Sequence, residues 1–317
     1  MEENQRRNMS TVTYVILLGF GELEEGGAAL FSLLLTLYLV TLISNLLLII
    51  TVQKSSHLQT PMYFFLCHLS CVDVGSISSI FPQLLWEVLA GGVTISFTAC
   101  VVQLYVVGSL LTVECFLLAV MSYDRYLAIC WPLRYSVLMD SRVCVKLAVA
   151  SWVGGFLFLG VMLALLASLT FCGPHIINHF FCDFFPLVKL SCTDTKMVEK
   201  AAFASSFLSL SPFFCTLLSY GCILSSILRI SSSTGRHRAF STCSSHLTVV
   251  SVFYGTLIVV YMTPPSEATF SLNKIFSLLY TVLTPVLNPL VYSLRNKDVQ
   301  IALMSVAKFH CSGNNQG

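Results

Sequence analysis

Charge is what this chain has least of. Only 10% of its 317 residues are Asp, Glu, Lys or Arg, against 56% hydrophobic, and the mean hydropathy is +0.82. A soluble monomer of 35.0 kDa needs a far more polar surface, so an ordinary globular domain is excluded. The net charge of +2 is too small to point to nucleic acid. Gly/Pro-rich linkers, internal repeats and low-complexity blocks are missing, which leaves one domain. No H-E-x-x-H, G-x-S-x-G or P-loop occurs and the histidines are scattered, so the chain reads as a non-enzyme without an organic cofactor. The strand-like alternation of a membrane β-barrel is absent too. So is a secretory leader: residues 1–10 are polar and the apolar run 15–20 is too short to span, so the first apolar stretch is expected to serve as insertion signal.

What is present is a series of seven long apolar stretches, near 28–52, 61–85, 98–123, 143–169, 197–228, 240–263 and 272–294. A hydrocarbon layer needs about 20 apolar residues in a helix, and lipid offers backbone groups no partner. The fold class expected is therefore an all-α membrane protein, a seven-transmembrane helix bundle over 28–294. Residues 1–27 precede it, and 295–317 supply a short amphipathic helix and a tail. The third and fifth stretches are long for one crossing and suggest tilt. Basic residues gather on one side: Lys54, Arg125, Arg134, Arg142, Lys146, Arg229, Arg236, Arg238, Arg295, Lys297 and Lys308. By the positive-inside rule that side is cytoplasmic, with the N-terminus outside and the C-terminus inside. Asn8-Met9-Ser10 is then an exposed glycosylation sequon. The apolar side of 296–308 suits membrane lipid, and Cys311 follows without an acylation motif, so the tail is expected to be unmodified.

Thirteen cysteines divide by position. Most lie in or beside apolar helices, where a thiol packs as a small hydrophobe. Cys100 begins the third span at the outer face, opposite a loop that carries Cys172, Cys182 and Cys192. Four cysteines in an oxidising compartment suggest two bridges, with three pairings open, and they lack the spacing and histidines of a zinc site. The loop runs to roughly 27 residues, long for a helix connection, and its aromatic and polar centre, 175–185, suits the cover of a site entrance.

A few polar groups remain inside the spans. Asp73 and Glu114 are the acids, with Asn45, Ser70 and Asn288 as polar neighbours. Lone carboxylates in hydrocarbon are costly, so these should face the bundle interior. They can hold a small hard cation, share a proton or fix helix packing. They also suit a cation-coupled transporter, although the paired repeats of many transporters are missing. A binding face follows from 3/4 spacing: Leu104, Val107, Gly108, Leu111, Thr112 and Cys115 on the third span, Tyr254, Leu257, Ile258 and Tyr261 on the sixth. The fifth offers Ala204, Ser205, Leu208 and Ser209. Apart from Glu199 at the outermost turn of the fifth, these three spans hold no acid in their outer halves to anchor an amine. The pocket would be small and mostly apolar, with Thr112, Ser205 or a tyrosine giving one directional hydrogen bond.

Motifs in order along the chain narrow the reading. They are Pro61-Met62-Tyr63-Phe64-Phe65-Leu66 with Leu69-Ser70 and Asp73; 121–130, which contains Asp124-Arg125-Tyr126; Ser219-Tyr220; 239–247, which contains His246; and 285–296, which contains Asn288-Pro289 and Tyr292. Leu17-Leu18-Gly19-Phe20 also fits. Together they resemble the odorant receptors, a large group of rhodopsin-like G-protein-coupled receptors, and within them the larger, terrestrial-vertebrate class. Ser122, Arg238 and Gln59 depart from the family's usual alanine, lysine and histidine.

The resemblance implies several things at once. It implies the pairings Cys100–Cys182 and Cys172–Cys192, an odorant cavity between the outer halves of spans three, five and six, and a regulatory sodium ion around Asp73 and Glu114. It implies that Asp124, Arg125 and Tyr126 form a coupling switch, with Tyr220 and Tyr292 as mobile phenol partners. Read from the residues themselves, Arg236, His237 and Arg238 form a short basic approach to the sixth span suited to the inner membrane surface or a G protein, and Pro289, with Pro212, can supply hinges. The implied ligand is a small volatile odorant, the implied partner the stimulatory olfactory heterotrimeric G protein, and the place the plasma membrane.

Overall fold

The computed structural model describes residues 12–21, 26–172, 175–229, 232–262, 267–294 and 299–304; inside the helices the side chains of Arg238 and Tyr292, among others, are not described. Asn8 and Cys311 lie outside the described residues. Helices dominate: α1 (Gly27–Lys54), α2 (Pro61–Ala90), α3 (Phe97–Cys130), α4 (Pro132–Leu138), α5 (Ser141–Leu166), α6 (Phe184–Val188), α7 (Lys196–Ser209), α8 (Ser211–Leu228), α9 (Ser233–Met262), α10 (Glu267–Leu278) and α11 (Thr284–Leu294). Residues 299–304 add a short C-terminal helix. Among the described residues six helical segments are long and apolar enough to cross a membrane: α1, α2, α3, α5, Lys196–Leu228 and Asn273–Val291. A further apolar helical stretch, His246–Tyr261 of α9, is shorter among the described residues.

The helix surfaces are built for lipid rather than water. On α5, Val145, Val149, Val153, Leu157 and Val161 form an exposed stripe four residues apart. On α1, Leu33, Leu39, Val40, Ile43, Leu46, Leu47 and Ile50 are exposed. In water such faces would cost about 25 cal/mol per Å², whereas lipid tails remove that cost. α3 is the axis of the bundle. It packs on α2, α5, α8 and α9, and 61% of its apolar window is buried against 22% for α1.

Proline and cap residues set the breaks. Pro61 opens α2 where a missing N–H costs nothing. Ser96 Oγ accepts from Ala99 N (3.1 Å) to start α3, and Asp140 Oδ1 from Val143 N (2.8 Å) to start α5. The fifth expected span, continuous in the sequence reading, is divided at Leu210 into α7 and α8. Pro212 has no N–H for the carbonyl of Leu208, and the Ser211 hydroxyl takes that carbonyl at 2.7 Å. In the last span the helix widens to a π turn over Leu279–Leu283, ahead of Pro285 and Pro289.

Three short strands join the α-helices at one end of the bundle. β1 (Tyr14–Leu17) pairs antiparallel with β2 (Val93–Ser96) and parallel with β3 (Ile176–Ile177), in the order β2-β1-β3. The apolar run too short to span a membrane thus becomes a sheet strand, with Val15 and Leu17 fully buried. Bridges Cys100–Cys182 and Cys172–Cys192 pin the same region, with Cα separations of 5.4 and 5.7 Å. The sheet, α6 and the bridges form a lid over that end.

Candidate functional site

Beneath the lid lies a cavity of about 110 Å³. Engineered holes of roughly 150 Å³ take up a benzene-sized guest, so this space suits a small ligand. Leu104, Gly108, Leu111, Thr112 and Cys115 of α3 form one wall; Phe158, Leu159 and Met162 of α5 another; Ala202, Ser205, Ser206, Ser209 and Leu210 a third; and Leu257 and Tyr261 of α9 a fourth. Asp183, Phe184 and Phe185 close it from the lid.

Several residues singled out from spacing lie elsewhere. Val107 is buried in the main core, and Ala204 and Leu208 are exposed on the outward face of α7. Ile258 is half-buried off the lining. Tyr254 is fully buried one turn below Leu257, where its hydroxyl donates to Cys115 O at 2.9 Å and supports the wall rather than lining it. The span expected at 143–169 is α5, but the binding face expected from sequence took no lining residue from it. Its inward side was signalled by Ser151, Gly155, Leu159, Met162 and Leu166, buried at 3/4 spacing.

The hydroxyls of the lining are largely spent on their own helices. Thr112 Oγ1 donates to Gly108 O (2.9 Å), Ser205 Oγ and Ser206 Oγ to Ala202 O (2.7 and 3.0 Å), and Ser209 Oγ to Ser206 O (2.9 Å). Lid and helices are joined by Asp183 Oδ1, which accepts from Phe184 N (2.8 Å) and Tyr261 OH (3.4 Å); Tyr261 OH also meets Tyr280 OH at 3.2 Å. Burial pushes Asp183 up to about 6, with the Phe184 N–H and Tyr261 hydroxyl acting the other way. Nearby, burial and then the Lys274 charge hold His179 down at about 3.

Deeper in the bundle the polar residues gather. Asn288 Nδ2 donates to both Asp73 carboxylate oxygens at 3.1 and 3.0 Å. Glu114 faces the Asp73 charge and the same amide. Pro289 has no N–H for the Pro285 carbonyl, and Asn45 Nδ2 donates to it at 3.1 Å. Buried oxygens without hydrogen-bond partners remain on Asn45, Ser70, Glu114, Thr284 and Asn288. Such oxygens fit a small hard cation. No three His, Cys, Asp or Glu converge among the described residues, so a soft-metal donor set is not formed there.

The far end carries the other motif. Asp124 Oδ1 accepts from Tyr135 OH (2.8 Å), so its hydrogen bond is to a phenol of α4 and the Arg125 influence on it is electrostatic. The Tyr135 hydroxyl is pushed up by burial and then by that acid. Trp131 Nε1 donates to Tyr126 OH (3.0 Å), while Tyr220 OH and His246 Nδ1 lie 2.6 Å apart and tie α8 to α9. Arg236 is exposed at the start of α9.

This layout matches a known group. The family model described as Olfactory receptor matches residues 34–308. The chain belongs to the olfactory receptor family. It is 46% identical over 297 residues to Olfactory receptor 5P68 of Mus musculus, covering 93% of this chain and 95% of that one. Olfactory receptor 287 of Rattus norvegicus is 47% identical over 303 residues, with 95% and 97% covered. Olfactory receptor 11L1 of Homo sapiens is 48% identical over 307 residues, with 96% and 95% covered. As an olfactory receptor the chain is a multi-pass, odorant-detecting, G-protein-coupled receptor and not an enzyme, and a transporter role has no support.

Proposed function

We propose that this olfactory receptor binds small, mostly hydrophobic volatile odorants in the cavity under the lid and signals through the stimulatory olfactory G protein to cyclic AMP. One transmembrane unit, 28–294, crosses the plasma membrane seven times, α9 being the sixth span. Residues 1–27 and the lid face outward, and 295–317 face the cytoplasm. The observation that carries the reading is the apolar cavity bounded at once by α3, α5, α7, α9 and the lid. A ligand there touches elements that continue to the far end, where Asp124, Arg125, Tyr126, Tyr220 and His246 lie. It shifts the packing only as far as it prefers one arrangement.

In this mechanism Tyr261 links lid to α9, so a ligand that displaces Phe185 or Leu257 moves the outer part of that helix. At the other end, opening α9 from α8 breaks the Tyr220–His246 contact and exposes a cleft for the G protein, with Arg236 at its rim. Asp73, Glu114, Asn45, Ser70 and Asn288 would hold a sodium ion, which would supply positive charge between the two acids and favour one helix packing. The chain's own part there is Asn288, which orients the Asp73 carboxylate, and Asn45, which ties α1 to α11.

An odorant panel in cells, read as cyclic AMP and normalised to surface expression, tests the proposal. Arg125→Ala should abolish the response while leaving surface delivery largely intact. A normalised response that survived it would overturn the assigned switch.

A further inference from the structure

Spans three, five and six bring no acid to the cavity, but the lid brings one. Asp183 follows Cys182, whose bridge to Cys100 fixes it beside the start of α3, and it caps α6 through Phe184 N. Its Oδ1 is shared by that N–H and the Tyr261 hydroxyl, and no further hydrogen bond to the carboxylate is formed among the described residues. Among the described residues the second oxygen accepts from no donor, so it is open to one on a ligand. Apart from Asp183 the lining is apolar or hydroxyl-bearing; Thr112, Ser205, Ser206 and Ser209 already donate to helix carbonyls and Tyr261 to Asp183 itself, so the capacity left over is to accept rather than to donate.

We infer that Asp183 sets the ligand class, selecting small hydrocarbon-rich molecules that carry one terminal hydrogen-bond donor over acceptor-only molecules of the same shape. The inference rests on the cavity being the odorant site. Alcohols and protonated alkylamines share the donor chemistry, whereas a ketone or ether sets its oxygen against the oxygens of the wall and stays unpaired. A buried polar group left without a partner weakens binding about tenfold or more. The raised titration point of Asp183 agrees with this, since burial is its first cause and no Lys or Arg contributes to it. A donor head supplies what the protein withholds.

The test uses the full chain in cells, with cyclic AMP as readout and one carbon skeleton carrying four heads: hydroxyl, primary amine, ketone and methyl ether. The alcohol and the amine should act at about tenfold lower concentration than the ketone and the ether. Asp183→Asn keeps an oxygen for the Phe184 cap but adds a donor, so it should bring the ketone level with the alcohol and cost the amine most. The amine and alcohol arms separate charge from hydrogen bonding. Equal potencies across the four heads in the unmodified chain, or a donor preference that survives Asp183→Asn at normal surface level, overturns the inference. Acceptor-only ligands ranking first in the unmodified chain overturns it even if the variant does not reach the surface. A normally delivered chain that answers no odorant of any head group sinks the receptor reading beneath it instead.

Discussion

Two glycines on one helix contact should separate fold from ligand shape. Gly155 and Gly108 both lie where α5 meets α3. A Cβ added at Gly155 would stand 2.9 Å from Ser109 O and 3.0 Å from Val113 N, besides crowding Val113 Cγ2. Two of those atoms are backbone and cannot turn away, so the helices must part by roughly 0.5 Å to reach ordinary contact. Overpacking of this kind costs about 1–3 kcal/mol and should lower the melting temperature by roughly 2–8 °C. A Cβ at Gly108 would instead meet Leu159 Cδ1 at 2.8 Å and Cγ at 3.2 Å, the end of a flexible side chain that borders the cavity. Leu159 can rotate into that space, and the gain in helix propensity, up to about 1 kcal/mol, offsets the crowding. Gly108→Ala should therefore keep the melting temperature of the purified receptor in nanodiscs but shift the potency of its bulkier odorants about tenfold. Gly155→Ala should lose stability and surface level. Equal melting losses in the two variants, or an unaltered odorant profile in Gly108→Ala, would refute the assignment of one glycine to packing and the other to the site.

Other consequences are as direct. Removing the Cys172–Cys192 bridge by a double serine change frees a separation of 20 residues, worth about 3 kcal/mol of constraint in the chain-entropy model, and should expose 172–192 to limited proteolysis; unchanged protection would count against a lid held by that bridge. Tyr220→Phe removes the 2.6 Å link between α8 and α9, and a loss of about 1 kcal/mol should change basal cyclic AMP about fivefold; an unmoved baseline means the link persists in both packings. The lid also makes a pH prediction. His179, depressed to about 3 by burial, loses stability for the fold as pH drops below about 6.5, at about 1.4 kcal/mol per unit. Asp183, raised to about 6, holds its proton better folded than unfolded, so its contribution grows as pH drops from about 6 toward 3.9 and opposes the histidine. Asp183→Asn should leave the histidine alone, and melting temperature should then fall more steeply between pH 6 and 4.5 than in the unmodified chain; equal slopes would show that the two groups do not titrate as a buried pair of opposite sign.

How far a sequence exposes such a site depends on what each helix touches. α3 is surrounded, so its 3/4 spacing maps onto real neighbours, and Leu104, Gly108, Leu111, Thr112 and Cys115 share one wall. α7 is different because lipid inverts the usual pattern. Phe203, Phe207 and Leu208 point outward, and the small polar face, Ser205, Ser206 and Ser209, points in. Treating apolar residues as inward-facing turns that helix by about one position. Asp183 was legible only as part of the cover, 175–185, and not as the cavity's acid, because a lid loop, not a span, delivers it. The sheet was not legible either: β1 needs partners near 93–96 and 176–177, and nothing local to 14–17 names them.

The prolines show the same principle in the membrane-spanning part. From sequence alone Pro289 and Pro212 are hinges, since each deletes a helical hydrogen bond. In the fold neither freed carbonyl is idle: Asn45, on another helix, takes that of Pro285, and Ser211 takes that of Leu208. In hydrocarbon an orphan carbonyl costs more than in water, so a proline there selects a donor, and the donor decides whether the point bends or ties. Pro212 is served from within its own chain segment and divides α7 from α8. Pro289 is served from α1, so it joins two helices, and the departure from regular winding falls instead at Leu279–Leu283. Motion of the last span relative to α1 must therefore either carry Asn45 along or break that bond. For this reason Asn45→Ala should loosen α11 from α1 and lower the melting temperature, whereas Asn45→Asp, which cannot donate when ionised, should be no better. Rescue of the melting temperature by Asp at that position would mean that the Pro285 carbonyl is not what Asn45 serves.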